Sequence, residues 1–360
     1  MRIGNKHAGR DRIVALAAAV GLAAAAWVPA GLDAVGASRP AGTQPATALP
    51  PVPMNLLEPP QGRLPKVLAL AEDELLFALT GTPRTEPVWE LGYQEQVIRR
   101  GRLKLDAAGQ GRFSLVLPDV RQRTPLKMQV RDGAAQAGRD LVVLPRRMLG
   151  VVSATLGKLP LGIADEGGSV QKVLTEDGVR FDDLRTDLAR DSFRGGALVL
   201  AGFDKPQALA ELCRRFEGRL AGGQSLIVVN PPVGWSGWGI RAVESNAPAK
   251  AAVRFARDFG QFLQPGDLGE GPWRRELVVE PNVVPLVWME VRVADANVAL
   301  DANARSDANV PAVVRPLAAM RTVGQGRLVV ASLDCLGSLP RDAAARGMLS
   351  ELLVWVLRGE

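Results

Sequence analysis

Gly195–Pro232, GGALVLAGFDKPQALAELCRRFEGRLAGGQSLIVVNPP, decides the fold, because it holds a complete strand, helix, strand unit. Ala197–Ala201 is an unbroken apolar run of strand length with Gly on both sides, the pattern of a strand buried on both faces of a parallel sheet. Asp204 and Pro206 stand where a helix cap and a first-turn proline belong. Leu209, Leu212, Cys213, Phe216 and Leu220 then recur at helical spacing, and Gly222 and Gly223 stop the helix. Leu226–Val229 is the second buried strand, and it runs into Asn230, Pro231 and Pro232, which cannot continue a central ladder. In a parallel sheet the ligand crevice lies at the carboxyl ends of the strands, so Phe203, Asp204, Asn230 and the loop that follows face the expected site.

Outward from this unit, Leu149–Ala154, Gly178–Leu184 and Gly326–Ser332 read as further strands with helical stretches between them, an α/β order over residues 147–360. Residues 63–146 read differently. Val67–Leu79, Val88–Tyr93, Arg102–Leu105, Arg112–Leu117, Leu126–Val130 and Leu141–Leu144 are short runs separated by turn residues, which predicts a small all-β sandwich. Trp89 and Tyr93 share one strand face, and the core is the expected place for Trp89. Residues 38–62 are rich in Pro, Ala, Gly and Thr and are expected to be a linker.

Residues 1–37 open with Arg2, Lys6, Arg10 and Arg12 and continue into the apolar run Ile13–Val28, the pattern of an export signal. Small residues at Val28/Ala30 and Val35/Ala37 offer cleavage points, and if the segment stays uncut, residues 13–32 form an anchor and the protein's only route to a membrane. The expected location is the periplasm or envelope. The net charge of +6 draws partly on this segment, and no run of five like charges occurs, so nucleic acid is not an expected partner. Cys213 and Cys335 are the two cysteines; Cys213 occupies an apolar helix position, which favours a buried thiol over a disulfide.

Two segments carry family resemblances. GRLKLDAAGQGRFSLVLPDV, residues 101–120, resembles the immunoglobulin-like modules of exported bacterial proteins. GVRFDDLRTDLARDSFRGGALVLAGFDKPQALAELCRRFEGRLAGGQSLIVV, residues 178–229, looks like the class I glutamine amidotransferase-like fold, and GQGRLVVASLDCLGSLPRDAAARGMLSELLVWVLRG, residues 324–359, is similar to the closing strand and helix of its ThuA-type branch. The resemblance implies an α/β fold with a flavodoxin-like or amidotransferase-like parallel sheet, preceded by an immunoglobulin-like all-β domain. It also implies where catalysis would sit: a Cys on the sharp turn after Leu226–Val229, and a His beyond it.

This sequence departs from that pattern at both places. Asn230-Pro231-Pro232 occupies the turn, and Pro has no N–H to offer an oxyanion. His7 is the single histidine and lies in the export segment, while Asp334-Cys335 stands where ThuA-type proteins often carry Gly-His. Histidine-dependent triads, Cys-His pairs and histidine-ligated metals are thereby excluded from the exported form, and no cofactor or metal is expected. A carboxylate mechanism survives, with Asp165, Glu166, Asp204 and Asp334 as candidates, of which Asp204 and Asp334 follow predicted strands. Trp235 and Trp238, on the glycine-rich loop after the turn, are either binding aromatics or a lid packed on the sheet. The Asp-Ala-Asn repeat at 295–309 lacks the order of a calcium loop. The expected function is therefore a non-catalytic binding or assembly protein of the envelope, with a protein or carbohydrate partner and a crevice of Phe203, Asp204, Asn230, Trp235, Trp238, Asp334 and Cys335. The alternative is an exported carboxylate hydrolase, with carbohydrate as a substrate class.

Overall fold

A computed structural model describes residues 52–56, 66–81, 86–150, 160–186, 190, 192–245, 247, 251–268, 274–292, 312–339 and 342–357. The export segment, His7 and the Asp-Ala-Asn repeat lie outside the described residues.

Among the described residues, eight strands precede Pro145: β1 (Val52–Leu56), β2 (Val67–Leu70), β3 (Glu74–Gly81), β4 (Val88–Tyr93), β5 (Gln96–Arg102), β6 (Gln110–Val116), β7 (Thr124–Asp132) and β8 (Ala135–Leu144). They form two sheets, ordered β1-β3-β6 and β2-β8-β7-β4-β5. Both sheets turn alternate residues inward, so Phe77, Leu79, Leu91, Met128, Val130 and Val143 meet in one core. Trp89 joins it through stacking: its ring lies 5.4 Å from Phe113, which in turn stacks on Phe77 at 5.0 Å.

Two details correct the sequence reading of this region. The expected linker contains strand β1, which pairs in parallel with β3 and buries Val52 and Met54. Prolines on either side hide its alternation, yet Pro53 is tolerated because β1 is an edge strand, and its carbonyl accepts two bonds from Arg139, at 3.0 Å and 2.7 Å. Strand β5 precedes the predicted Arg102–Leu105. All but one of its residues are exposed, so the alternation that marks a half-buried strand is missing there.

Beyond Pro145 come β9 (Leu161–Asp165), β10 (Phe181–Asp183), β11 (Ala197–Ala201), β12 (Ser225–Val229), β13 (Ser236–Gly237), β14 (Ile240–Glu244), β15 (Ala252–Phe255), β16 (Arg275–Val279), β17 (Val284–Arg292), β18 (Ala312–Val323) and β19 (Gly326–Ala331). Among the described residues, three α-helices accompany them: α1 (Ser169–Glu176), α2 (Pro206–Ala221) and α3 (Ala343–Leu357). One eight-stranded mixed sheet runs β10-β9-β11-β12-β19-β18-β17-β15, and β13-β14-β16 form a small sheet beside it. β10, β9, β11, β12 and β19 are parallel, whereas β18, β17 and β15 continue antiparallel. The architecture is thus mixed α/β with an all-β region ahead of it.

The strands of the quoted unit are buried on both faces, as their unbroken apolar runs require. Leu198, Leu200, Leu226 and Val228 face α2, whose Leu209, Leu212, Cys213, Phe216 and Leu220 complete one core. Val199 and Ile227 face the other way, against α1 and α3. Each fully buried Leu or Val contributes about 1.5–3 kcal/mol. Helix α3 is apolar nearly all round and is enclosed accordingly. Leu70, Val142, Leu144, Met148 and Leu149 reach into this same core, so the packing runs across the expected boundary near residue 146 without a break.

The first strand of the α/β region also differs from expectation. Leu149 lies in a turn and 151–159 fall outside the described residues; the sheet instead uses Leu161–Asp165. Gly162 interrupts that run and disguised it. A Cβ at Gly162 would come within 2.5 Å of Leu184 and 2.8 Å of Phe193, so the glycine is demanded by close packing.

Candidate functional site

The carboxyl ends of β9, β11 and β12 open into a cleft of about 560 Å³. Register aligns them: Ala201 pairs with Asp165, and Val229 with Ala331. Phe203, Asp204 and Asn230 line the cleft as expected, joined by Asp165, Ser169, Val233 and Arg275.

Asp165 is only 1% exposed, and its carboxylate is already occupied. Oδ1 accepts from Gly167 N at 3.1 Å, and Oδ2 from Val170 N at 2.7 Å and Gln171 N at 3.3 Å. It thereby satisfies the first amides of α1, which Gly168, the residue before the helix, has no side chain to bond. The neighbouring loop is equally tight. Gly202 has φ +73°, and a Cβ there would sit 2.4 Å from Gly167 N, so only glycine lets the β9 and β11 loops meet.

Asn230 occupies the turn after β12 in the left-handed region, at φ +48°. Its N–H donates to Ala331 O at 2.7 Å, and its Oδ1 accepts from Leu333 N at 3.0 Å. The side chain therefore ties the end of β12 to the end of β19.

Several expected site residues are placed elsewhere. Asp204 does not cap α2: Lys205 holds the cap position without a side-chain bond, and Asp204 is exposed on the cleft rim. Trp235 is 0% exposed, in the core between α2 and the sheet, and so cannot touch a ligand in the cleft. Its indole N–H lacks a well-formed hydrogen bond, although it lies near enough to the Cys213 thiol to oppose weakly the burial that pushes that thiol up to about 12. Trp238 is half-buried against the same core, and its carbonyl accepts from Arg321 Nη1. Both indoles thus take the packed alternative, because the loop from Pro231 folds back under β14: Gly234 N donates to Ala242 O and Ala242 N to Trp235 O, each at 3.0 Å.

Asp334 opens a short 3₁₀ turn, Asp334–Ser338, after β19. Cys335 packs against the core on the α3 side, while Leu336, Gly337 and Leu339 form cleft wall. The two cysteines form no disulfide, and they belong to cores on opposite faces of the sheet. Glu166 follows Asp165, and its N–H donates to Ala201 O at 3.1 Å. Among the described residues, no three His, Cys, Asp or Glu side chains converge as a metal site.

Arg275 went unrecognised because it belongs to the insertion between the quoted unit and the closing strand. Its segment, Arg275-Glu276-Leu277-Val278-Val279, the sequence of β16, is two charged residues followed by three apolar ones, so no alternation marks it as a strand. It is half-buried, and no acidic side chain pairs with it among the described residues. Glu276, its neighbour, accepts from Ser245 Oγ at 3.0 Å and lies 3.2 Å from Arg315.

No protein-family model matches this chain, and neither does any curated protein. Among solved structures, a cytoplasmic protein from Salmonella typhimurium LT2 aligns at 9% identity over 81% of this chain and 99% of its own, with a TM-score of 0.31. The β-galactosidase from Bacillus circulans sp. alkalophilus aligns at 13% identity and a TM-score of 0.31 over 57% of this chain, which spans only 33% of the enzyme. The ZIG-8–RIG-5 IG1-IG1 heterodimer aligns at 13% identity and a TM-score of 0.17 over 22% of this chain and 82% of its own. Likenesses this distant carry no argument about fold family or function.

Proposed function

We propose that this chain is an exported binding or assembly protein of the bacterial envelope, in which a catalytically degenerate, ThuA-type amidotransferase-like domain follows an immunoglobulin-like module. Asn230 carries the reading. It stands in a left-handed turn directly after a buried parallel strand, the strained position at which an elbow presents its nucleophile, and its side chain is engaged in holding Leu333. The next two residues are prolines, and the sequence offers no histidine beyond His7 to act as base.

Asp165 supports binding over a carboxylate hydrolase. Its carboxylate is buried and accepts three backbone N–H groups at the start of α1, so it is engaged in holding that helix and is not presented to a substrate. Among the described residues that line the cleft, Asp204 is then the one remaining carboxylate. The binding surface is accordingly the rim of Phe203, Asp204, Asn230 and Arg275, in place of the buried Trp235.

Incubation of the full chain with glutamine, simple amides and aryl glycosides tests this. No turnover above buffer is expected, and Cys335→Ser should change nothing. Thiol-dependent amide turnover, or glycoside turnover lost in Asp204→Asn, would overturn the reading.

A further inference from the structure

The cleft is lined by two formal charges, Arg275 and Asp204, that have no ion pair among the described residues. Arg275 enters from β16, and Asp204 from the loop after β11; both line the cavity, and among the described residues no ion pair joins them to each other or to another side chain. Half-buried Arg123, Arg146, Arg315 and Arg321 each have an acidic partner, and Arg190 and Arg219 donate to backbone carbonyls. A partly desolvated guanidinium with a free fork of N–H donors matches a carboxylate in a bidentate pair, and is strengthened by the low-dielectric wall behind it.

From these two unpaired charges in one cavity we infer that the cleft binds a small zwitterion of the dipeptide class, its carboxylate on Arg275 and its ammonium on Asp204. The remaining wall suits short aliphatic side chains: Val170, Ala201, Val229, Val233 and Leu336 are apolar, and the volume of about 560 Å³ is in the range of small-molecule sites. Asp165 lies in the same cleft but its carboxylate is taken up by α1, so it does not compete for the cation. This inference rests on the binding reading above and gives it a ligand.

Calorimetric titration of the full chain with alanyl-alanine, its C-terminal amide and its N-acetyl form separates the two ends. The parent dipeptide should bind, and the amide should bind at least tenfold more weakly. Arg275→Gln should lose the same factor toward the parent and show no further loss toward the amide. Asp204→Asn should reproduce the loss seen with the acetyl form. Both side chains are at least partly exposed, so melting of each variant should stay near wild type, and a variant that melts early is replaced by Arg275→Lys or Asp204→Ser for the same comparison. Absence of binding at millimolar dipeptide, or wild-type affinity in Arg275→Gln, would overturn the inference. Failure here leaves the turnover test standing, whereas turnover would sink the non-catalytic reading whatever the titration shows.

Discussion

The two halves of the eight-stranded sheet are joined edge to edge and do different work. In the parallel half all strands run in one direction, with α1 connecting β9 to β10 and α2 connecting β11 to β12, so Asp165, Gly202–Asp204 and Asn230 emerge at one end and line the cleft. In the antiparallel half, β17 and β18 answer each other directly, and the segment after β15 is used for attachment. That segment sends Asp267 to Arg123 and Lys66 of the all-β region, and the amides of Phe262 and Leu263 to the buried Glu351 of α3. Parallel order gathers loops where a ligand can be met; antiparallel order leaves a side free to fasten the molecule together.

The loop that leads from β12 into the small β13-β14-β16 sheet gives the largest expected effect. Trp235 lies on it yet is wholly enclosed, so Trp235→Ala should cost about 3–5 kcal/mol by urea denaturation, whereas Trp235→Phe, which removes the unpaired N–H and keeps most of the apolar bulk, should cost less than half as much. A loss below about 1 kcal/mol for the alanine variant would make the loop peripheral.

How much of this was legible in the sequence divides along the same line. β11, α2, β12 and β19 announce themselves because each is a local apolar run or a 3.6-residue period bounded by Gly or Pro, and the crevice residues Phe203, Asp204 and Asn230 follow from their ends. β15 to β18 carry no such signal, since their partners lie far along the chain and their register rests on tertiary packing rather than on turns. Arg275 was therefore hidden with them, and Gly162 hid the strand that ends at Asp165, so the sequence named that carboxylate without placing it at a strand end. The indoles misled for a related reason. Glycines beside Trp235 and Trp238 read as an open loop, although Gly237 is small because the Trp235 ring lies 3.1 Å from where its Cβ would be.

The fastening side is tested by pH. Burial alone would raise the Asp267 pKa, but Arg123, the Gln264 amide and Lys66 outweigh it and hold the carboxyl below its ordinary value. A depressed folded pKa means the unfolded chain binds the proton more readily, so this stabilisation is present above about pH 4 and fades as pH falls through the folded value. Asp267→Asn should therefore cost about 1–3 kcal/mol at pH 7, with the gap to wild type narrowing below pH 4. Asp183, held at about 2 by Arg185, is exposed and should add little to that profile. A gap that stays constant from pH 7 to pH 3 would show that Asp267 does not act through its charge.

The smallest effect tests the cleft end of the sheet. Asn230 contributes in two ways, a side-chain bond to Leu333 N at 3.0 Å and a backbone at φ +48° that asparagine adopts more readily than other side-chain-bearing residues. Asn230→Gly loses the bond and keeps the turn, so it should cost about 1 kcal/mol. Asn230→Ala loses the bond and also strains the backbone, adding about 1 kcal/mol more. Paired urea melts of the two variants separate the contributions, because the difference between them reports the turn alone. If alanine proves no worse than glycine, the left-handed turn is not what places asparagine after β12, and the elbow-like geometry loses its part in explaining why no nucleophile stands there.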